Sequence, residues 1–216
     1  MGKSVAVLGL GRFGRFVTDE LINLGADILV ADSDQTAVEH YADKVSYAVK
    51  VDLFSADALS ELGLENMDVV IVAMGSSLDA SIMCVMVSKE KGVPKVIAKS
   101  SDSRMGEILL KVGADEIIYP EKESAARVAG KVVSESFLDL LNVDDDLTVV
   151  KMTPFSSWVG KSIREVDFRK RYKVNVIAVK EPGKRREPLT PDTVIKENFR
   201  MLMVGEKEDV DKLISG

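Results

Sequence analysis

Short apolar runs alternate with amphipathic stretches from residue 4 to about residue 141. Residues 4–8 predict a first strand. Residues 12–24 set Phe13, Phe16, Val17, Leu21 and Leu24 at helical spacing and predict a helix with that apolar face, stopped by Gly25 at its C′ position. Residues 27–31 predict a second strand, and Asp34 caps a helix over residues 36–41. Residues 45–51 predict a third strand ending at Asp52, with Ser55 capping a short helix over 56–62. Residues 68–73 form a near-continuous apolar strand, as expected where helices cover both faces of a parallel sheet. Gly75-Ser76-Ser77 then opens a helix through Glu90. A strand over 95–98, a helix over 102–112 and a strand over 116–119 follow. Right-handed crossovers leave few arrangements for six such units. The pattern predicts an α/β fold, a Rossmann-type doubly wound parallel sheet of order 3-2-1-4-5-6, with its ligand crevice at the carboxyl ends of strands 1 and 4.

Beyond Pro120 the pattern changes. A long helix is predicted from Glu121 to about Leu141, then an acidic break at Asn142-Val143-Asp144-Asp145-Asp146. Strands are predicted over 147–152, 174–179 and 199–204, a hairpin turn at Gly183-Lys184-Arg185-Arg186, and a closing helix over 206–214. The chain therefore divides into residues 1–120, a helix over 121–142, and a small α+β domain over 143–216.

Composition narrows the function classes. Of 216 residues, 46% are hydrophobic and 30% charged, as in an ordinary folded domain. The net charge of −6 argues against a nucleic-acid partner, since neutralising phosphates needs a basic face. No apolar run approaches the roughly 20 residues that span a bilayer. Met1-Gly2-Lys3 leads directly into a strand, so no signal peptide is expected, and Ala6 stands where myristoylation asks for Ser or Thr. The single cysteine, Cys84, lies in an apolar helix face and reads as core. The single histidine, His40, reads as surface.

The chemistry concentrates in one stretch. Gly9-Leu10-Gly11-Arg12-Phe13-Gly14 follows a strand and opens a helix, and Asp32 waits about 20 residues on, at the end of the next strand. Gly9 permits the tight turn, Gly11 lets backbone approach a pyrophosphate, and Gly14 lets helix and strand pack closely. Free N–H groups and the dipole at the helix start favour the phosphates. Asp32 would accept from ribose hydroxyls and repel a 2′-phosphate, which disfavours NADP. Asp52 would stand beside the base. Arg12 would face the phosphates, where a guanidinium grips a terminal phosphate with a two-pronged hydrogen bond, and this tilts the ligand from NAD toward ATP or ADP. Ala73 and Gly75 keep backbone close at the switch point, and Lys99 adds positive charge. Glu121 at a helix start would be repelled by phosphates unless a cation bridged them.

On Gly9-Leu10-Gly11-Arg12-Phe13-Gly14, Asp32, Asp52, Gly113-Ala114-Asp115, Pro120-Glu121 and Gly160-Lys161-Ser162-Ile163, the chain resembles the cytosolic regulatory subunits of bacterial Ktr/Trk potassium-uptake systems, built from the RCK (regulator of potassium conductance) domain. The resemblance covers essentially the whole chain, except that Val51-Asp52-Leu53-Phe54 stands where many members have Gly-Asp-Ala-Thr. It implies a cytoplasmic protein, peripheral to the membrane, that binds ATP or ADP, with NAD or NADH as another ligand. It implies that Arg12 contacts the ATP γ-phosphate and that Glu121 helps hold Mg²⁺ or Ca²⁺ there, across a subunit interface. It implies a crossover helix from Glu121, homodimers assembled into an octameric ring, and a potassium-translocating membrane partner. It further implies a cyclic di-AMP site in the C-terminal domain, at Arg169, Asn175 and Ile177.

Two other readings stay open on the residues alone. An NAD-dependent oxidoreductase would need an acid or base group and a substrate pocket, and the sequence offers one histidine and a very small second domain. A redox-sensing repressor would need a helix-turn-helix and a basic face.

Overall fold

The structure is a computed structural model and describes residues 2–75, 77–133, 136–143, 146–184 and 189–215. The chain forms two compact units, Met1–Glu121 and Lys122–Gly216.

In the first unit, β1 (Ser4–Leu8), β2 (Asp27–Asp32), β3 (Tyr47–Lys50), β4 (Val69–Val72), β5 (Lys95–Lys99) and β6 (Glu116–Ile118) form one parallel sheet of order β3-β2-β1-β4-β5-β6. The crossovers carry α1 (Arg12–Asn23), α2 (Gln35–Glu39), α3 (Ala56–Ser60), α4 (Leu78–Glu90) and α5 (Ser103–Lys111). Side chains alternate across a strand, so each strand feeds both faces. Ala6, Leu8, Leu29, Val70 and Val72 pack into one cluster, and Val5, Val7, Ile28, Val30 and Ile71 into another. Both faces are covered, which is why these strands read as unbroken apolar runs.

The face of α1 differs from the one its spacing predicts. Phe13, Val17 and Leu21 do pack on the sheet, but Phe16 and Leu24 are 72% and 80% exposed. The contact is centred on Gly14 and Thr18, both buried. A β-carbon on Gly14 would lie 1.9 Å from the Gly9 carbonyl oxygen. The helix thus approaches β1 over its smallest residues, and a periodicity count weighted by bulky side chains points to the wrong azimuth.

In the second unit, β7 (Phe137–Asn142), β8 (Leu147–Met152), β9 (Val174–Lys180) and β10 (Arg200–Glu206) form an antiparallel sheet of order β7-β8-β10-β9. The long helix expected over 121–141 is shorter. α6 (Pro120–Val133) ends early, and Phe137 begins a strand instead. Phe137 is buried in the core of this unit, and its ring touches the space beside Gly130. Pairing with β8 outweighs the helix preference of a Leu-rich segment, because strand formation is decided by cross-strand packing. The acidic stretch 142–146 begins on the last residue of β7 and leads into β8, with Asp144 and Asp145 outside the described residues.

The core of this unit is aromatic. Trp158 is 2% exposed, meets Phe155, Phe168 and Tyr172 edge-on, and donates from Nε1 to the Tyr172 hydroxyl at 2.9 Å. Two short helices that the sequence reading did not anticipate, α7 (Ile163–Val166) and α8 (Phe168–Arg171), supply part of it. α7 begins with a capping box, Ser162 accepting from the Glu165 N–H and Glu165 from the Ser162 N–H. α9 (Lys207–Ser215) closes the core with Val210, Leu213 and Ile214. Gly183, at φ +80°, does turn the chain, but the connection from β9 to β10 runs through residues 181–199, with Arg185 and Arg186 outside the described residues.

Candidate nucleotide site

The first unit opens at the carboxyl ends of its strands, where the order reverses between β1 and β4. A cleft of about 660 Å³ lies there, a size typical of small-molecule sites. Gly9, Gly11, Arg12, Phe13, Asp32, Asp52, Ala73, Gly75, Lys99 and Glu121 all line it. Gly14 does not, because it lies beneath, holding α1 against the turn.

The loop geometry follows from the glycines. Gly9 sits at φ +99°, a conformation that side chains resist, and a β-carbon there would meet Met74. Gly11 caps α1 with extended backbone and open space around it. No side chain caps this helix, and its first turn carries no acid. Its free N–H groups and positive dipole end are therefore left for an anion. Arg12 stands on that first turn, exposed, with no hydrogen bond or ion pair among the described residues.

Asp32 is less free than the sequence suggests. One carboxylate oxygen accepts from the Leu10 N–H, and the other from the Asp34 N–H at 2.8 Å. Asp34 is the cap of α2, accepting from Thr36 N–H at 2.9 Å. Asp32 thus ties the glycine loop to the following turn, and the oxygen bonded to Leu10 keeps a lone pair for a ribose hydroxyl, while the other also accepts from the Ser33 hydroxyl. Asp52 accepts from the Phe54 N–H at 3.0 Å, which fixes the turn after β3.

Across the cleft, the Lys99 ammonium lies 2.6 Å from Glu121 and 5.6 Å from the Phe13 ring centroid. The Lys99 side chain is 13% exposed and that of Glu121 67%. The hydrogen bond from Lys99 holds the Glu121 carboxyl below its usual range. Among the described residues no group of three or more His, Cys, Asp or Glu could hold a metal ion. Glu121 therefore supplies one carboxylate only, and a cation there would take its other ligands from phosphate, water or a second subunit.

Met74 lines the cleft with Ala73 and Gly75, and so do Ser33, Leu53, Phe54, Ser77, Ala80 and Ser101, which no motif singles out. Phe54, 59% exposed beside Asp52, had a signal, since an unburied aromatic next to a strand-end acid offers a stacking face. The two residues read as non-catalytic lie outside this lining. Cys84 is fully buried, its thiol pushed up to about 12 by burial, and His40 is exposed at the end of α2.

The second unit carries a separate cavity of about 490 Å³. Arg169 and Asn175 line it, and Arg169 donates to the Asn175 side-chain oxygen. Ile177 does not line it. Two residues along β9 from Asn175, it is 48% exposed.

Residues 5–120 match the TrkA-N domain and residues 147–215 the TrkA-C domain. The chain is 34% identical to Ktr system potassium uptake protein C of Bacillus subtilis, over 98% of this chain and 96% of that one. It is 30% identical to Ktr system potassium uptake protein A of the same organism, over 97% and 95%. Among solved structures, the GsuK channel bound to NAD superposes with a TM-score of 0.67 at 18% identity, covering all of this chain and 40% of that one. The chain thus spans less than half of that channel, and the likeness is one of fold. No described helix is long and apolar enough to cross a membrane.

Proposed function

This chain belongs to the family of Ktr and Trk potassium-uptake regulatory subunits that carry TrkA-N and TrkA-C domains, and from that premise we propose that it is a cytosolic gating subunit that reads ATP against ADP in the cleft of its first unit. The observation that carries the reading is the position of Arg12. Among the described residues it has no partner, and it stands on the first turn of a helix without a side-chain cap, inside a cleft that ends opposite at Glu121. ATP and ADP differ by one phosphate, and a guanidinium at that place distinguishes them through charge-assisted hydrogen bonds. A ligand shifts a conformational equilibrium only by its differential affinity for two states, and this difference is what such a switch needs.

The remaining assignments follow the same reading. Residues 1–120 bind the nucleotide, with Asp32 on the ribose and Asp52 and Phe54 at the base. Glu121 helps hold Mg²⁺ or Ca²⁺ at the phosphates. The helix over 121–142 was expected as a crossover, and α6 carries that role, exposed from Glu121 to Ala129 with Val128 61% and Val132 81% exposed. Those residues, with Phe16 and Leu24, support a homodimer that builds a ring under a potassium-translocating membrane subunit. Residues 143–216 form a second sensor, whose cavity at Arg169 and Asn175 is the candidate for cyclic di-AMP.

Calorimetric titration of the protein with ATP, ADP and NADH, with and without Mg²⁺ or Ca²⁺, tests the reading. ATP should bind more tightly with the divalent cation. Arg12→Ala should lose the preference for ATP over ADP by about tenfold or more, the size expected for hydrogen bonds to a charged group. Tight NADH binding, no ATP binding and an Arg12→Ala variant like the wild type would overturn it in favour of an oxidoreductase.

A further inference from the structure

We infer that Lys99 is an internal counter-ion for Glu121 that a nucleotide phosphate takes away, so that Glu121 is released to a divalent cation only when the cleft is filled. The inference rests on the reading of the cleft as a nucleotide site.

The two partners are held unequally. Lys99 ends β5, and its stem runs along Gly75, where an added β-carbon would come within 2.9 Å of Cε and 3.1 Å of Nζ. The ammonium is confined between Gly75, the Phe13 ring and Glu121. An ammonium so withdrawn from water needs an anionic partner, and among the described residues Glu121 is the carboxylate it pairs with. Glu121 is mostly in water and depends far less on the pair. The ammonium also borders the same cleft as the open N-terminus of α1, so phosphates seated on that helix come into competition for it. A phosphate offers more charge and more acceptor oxygens than one carboxylate, and the compact, rotatable ammonium can change partner without moving its stem.

The exchange has a direction. With the cleft empty, Lys99 neutralises Glu121 and a cation must displace it. With phosphates present, Lys99 turns to them, and Glu121 is left beside additional negative charge. The free carboxylate and the phosphate then attract a divalent cation together. Glu121 is the last residue of the first unit and lies in the first turn of α6, so the release is felt at the start of the helix that leaves that unit.

The test is Ca²⁺ binding to the full chain, by calorimetry, without nucleotide and with ATP. Lys99→Met keeps the stem and removes the charge. It should bind Ca²⁺ without nucleotide roughly tenfold more tightly than the wild type, inside the usual span of coupling effects. The gain should vanish in the double variant Lys99→Met, Glu121→Gln. A Lys99→Met variant with wild-type Ca²⁺ affinity, or a gain that survives Glu121→Gln, overturns the exchange. A second measurement needs no variant. With the glutamate carboxyl carbons labelled, the Glu121 signal of the wild-type protein should move on saturation with ATP in EDTA, and an unmoved signal overturns the exchange. Failure of ATP to bind the wild type at all is a different result and removes the nucleotide reading itself.

Discussion

The two units differ in what they leave open. The first covers both faces of a parallel sheet, so its accessible chemistry is confined to the strand ends, where backbone turns meet. The second covers one face of an antiparallel sheet with helices and aromatic rings. Along β8 and β10, buried residues alternate with half-buried ones, and Leu141 and Ile177 stay exposed. A site made of turns depends on glycine spacing and helix ends. A site beside an antiparallel sheet depends on side chains, here Arg169 and Asn175 with Leu189, Thr190 and Pro191. The first gathers turns from Gly9 to Glu121 along its whole unit, and the second gathers side chains from residues 163–191 alone.

Substitutions can break this contrast unit by unit. Trp158→Ala removes the centre of the aromatic core and should cost about 3–5 kcal/mol. Calorimetry should place that loss in the transition of the second unit, while ATP affinity stays as in the wild type. Equal loss of nucleotide binding would mean that the units do not act separately.

Gly14→Ala is the counterpart in the first unit. Its methyl group would collide with backbone, so α1 must shift, at roughly 1–3 kcal/mol. Nucleotide affinity should fall with it, as read by titration. Gly11→Ala adds a methyl into open space. It should leave the melting temperature unchanged and still weaken nucleotide binding, which separates approach to the phosphates from packing.

Ser162→Ala removes the acceptor of the α7 capping box and should lower the stability of the second unit by about 1 kcal/mol in denaturant unfolding. Nucleotide binding should not respond.

The smallest effect concerns acid. The Val96 N–H, and then Lys89, hold the Asp115 carboxyl below its usual range. A depressed carboxyl contributes stability above its unfolded value, about 3.9, and loses it as pH falls through the folded value. The first unit should therefore melt at progressively lower temperature below about pH 4, and Asp115→Asn should flatten that dependence. The group is largely in water, so the change is small.

These contrasts also show what was legible. The strand order of the first unit, the turn at Gly9, the cap at Asp34 and the gathering of Arg12, Asp32, Asp52 and Lys99 follow from local pattern and from chain topology. The strand at Phe137 does not, because a Leu-rich segment becomes β only when β8 lies beside it. The inward face of α1 does not either, since it is set by how closely Gly14 meets Gly9. Nor does the separation of Ile177 from Arg169 and Asn175, because Ile177 falls where the pairing of β9 with β10 shifts register, between Val176 and Ala178.

By itself the sequence determined the fold class of the first unit and the chemistry of its turns, because glycine conformation, helix polarity and strand alternation act over a few residues. Tertiary structure decided the partners. It closed Asp32 onto the Leu10 amide and brought Lys99, at the end of β5, within 2.6 Å of Glu121, 22 residues on. Charge pairing of this kind is set by distance through space, and no spacing along the chain encodes it.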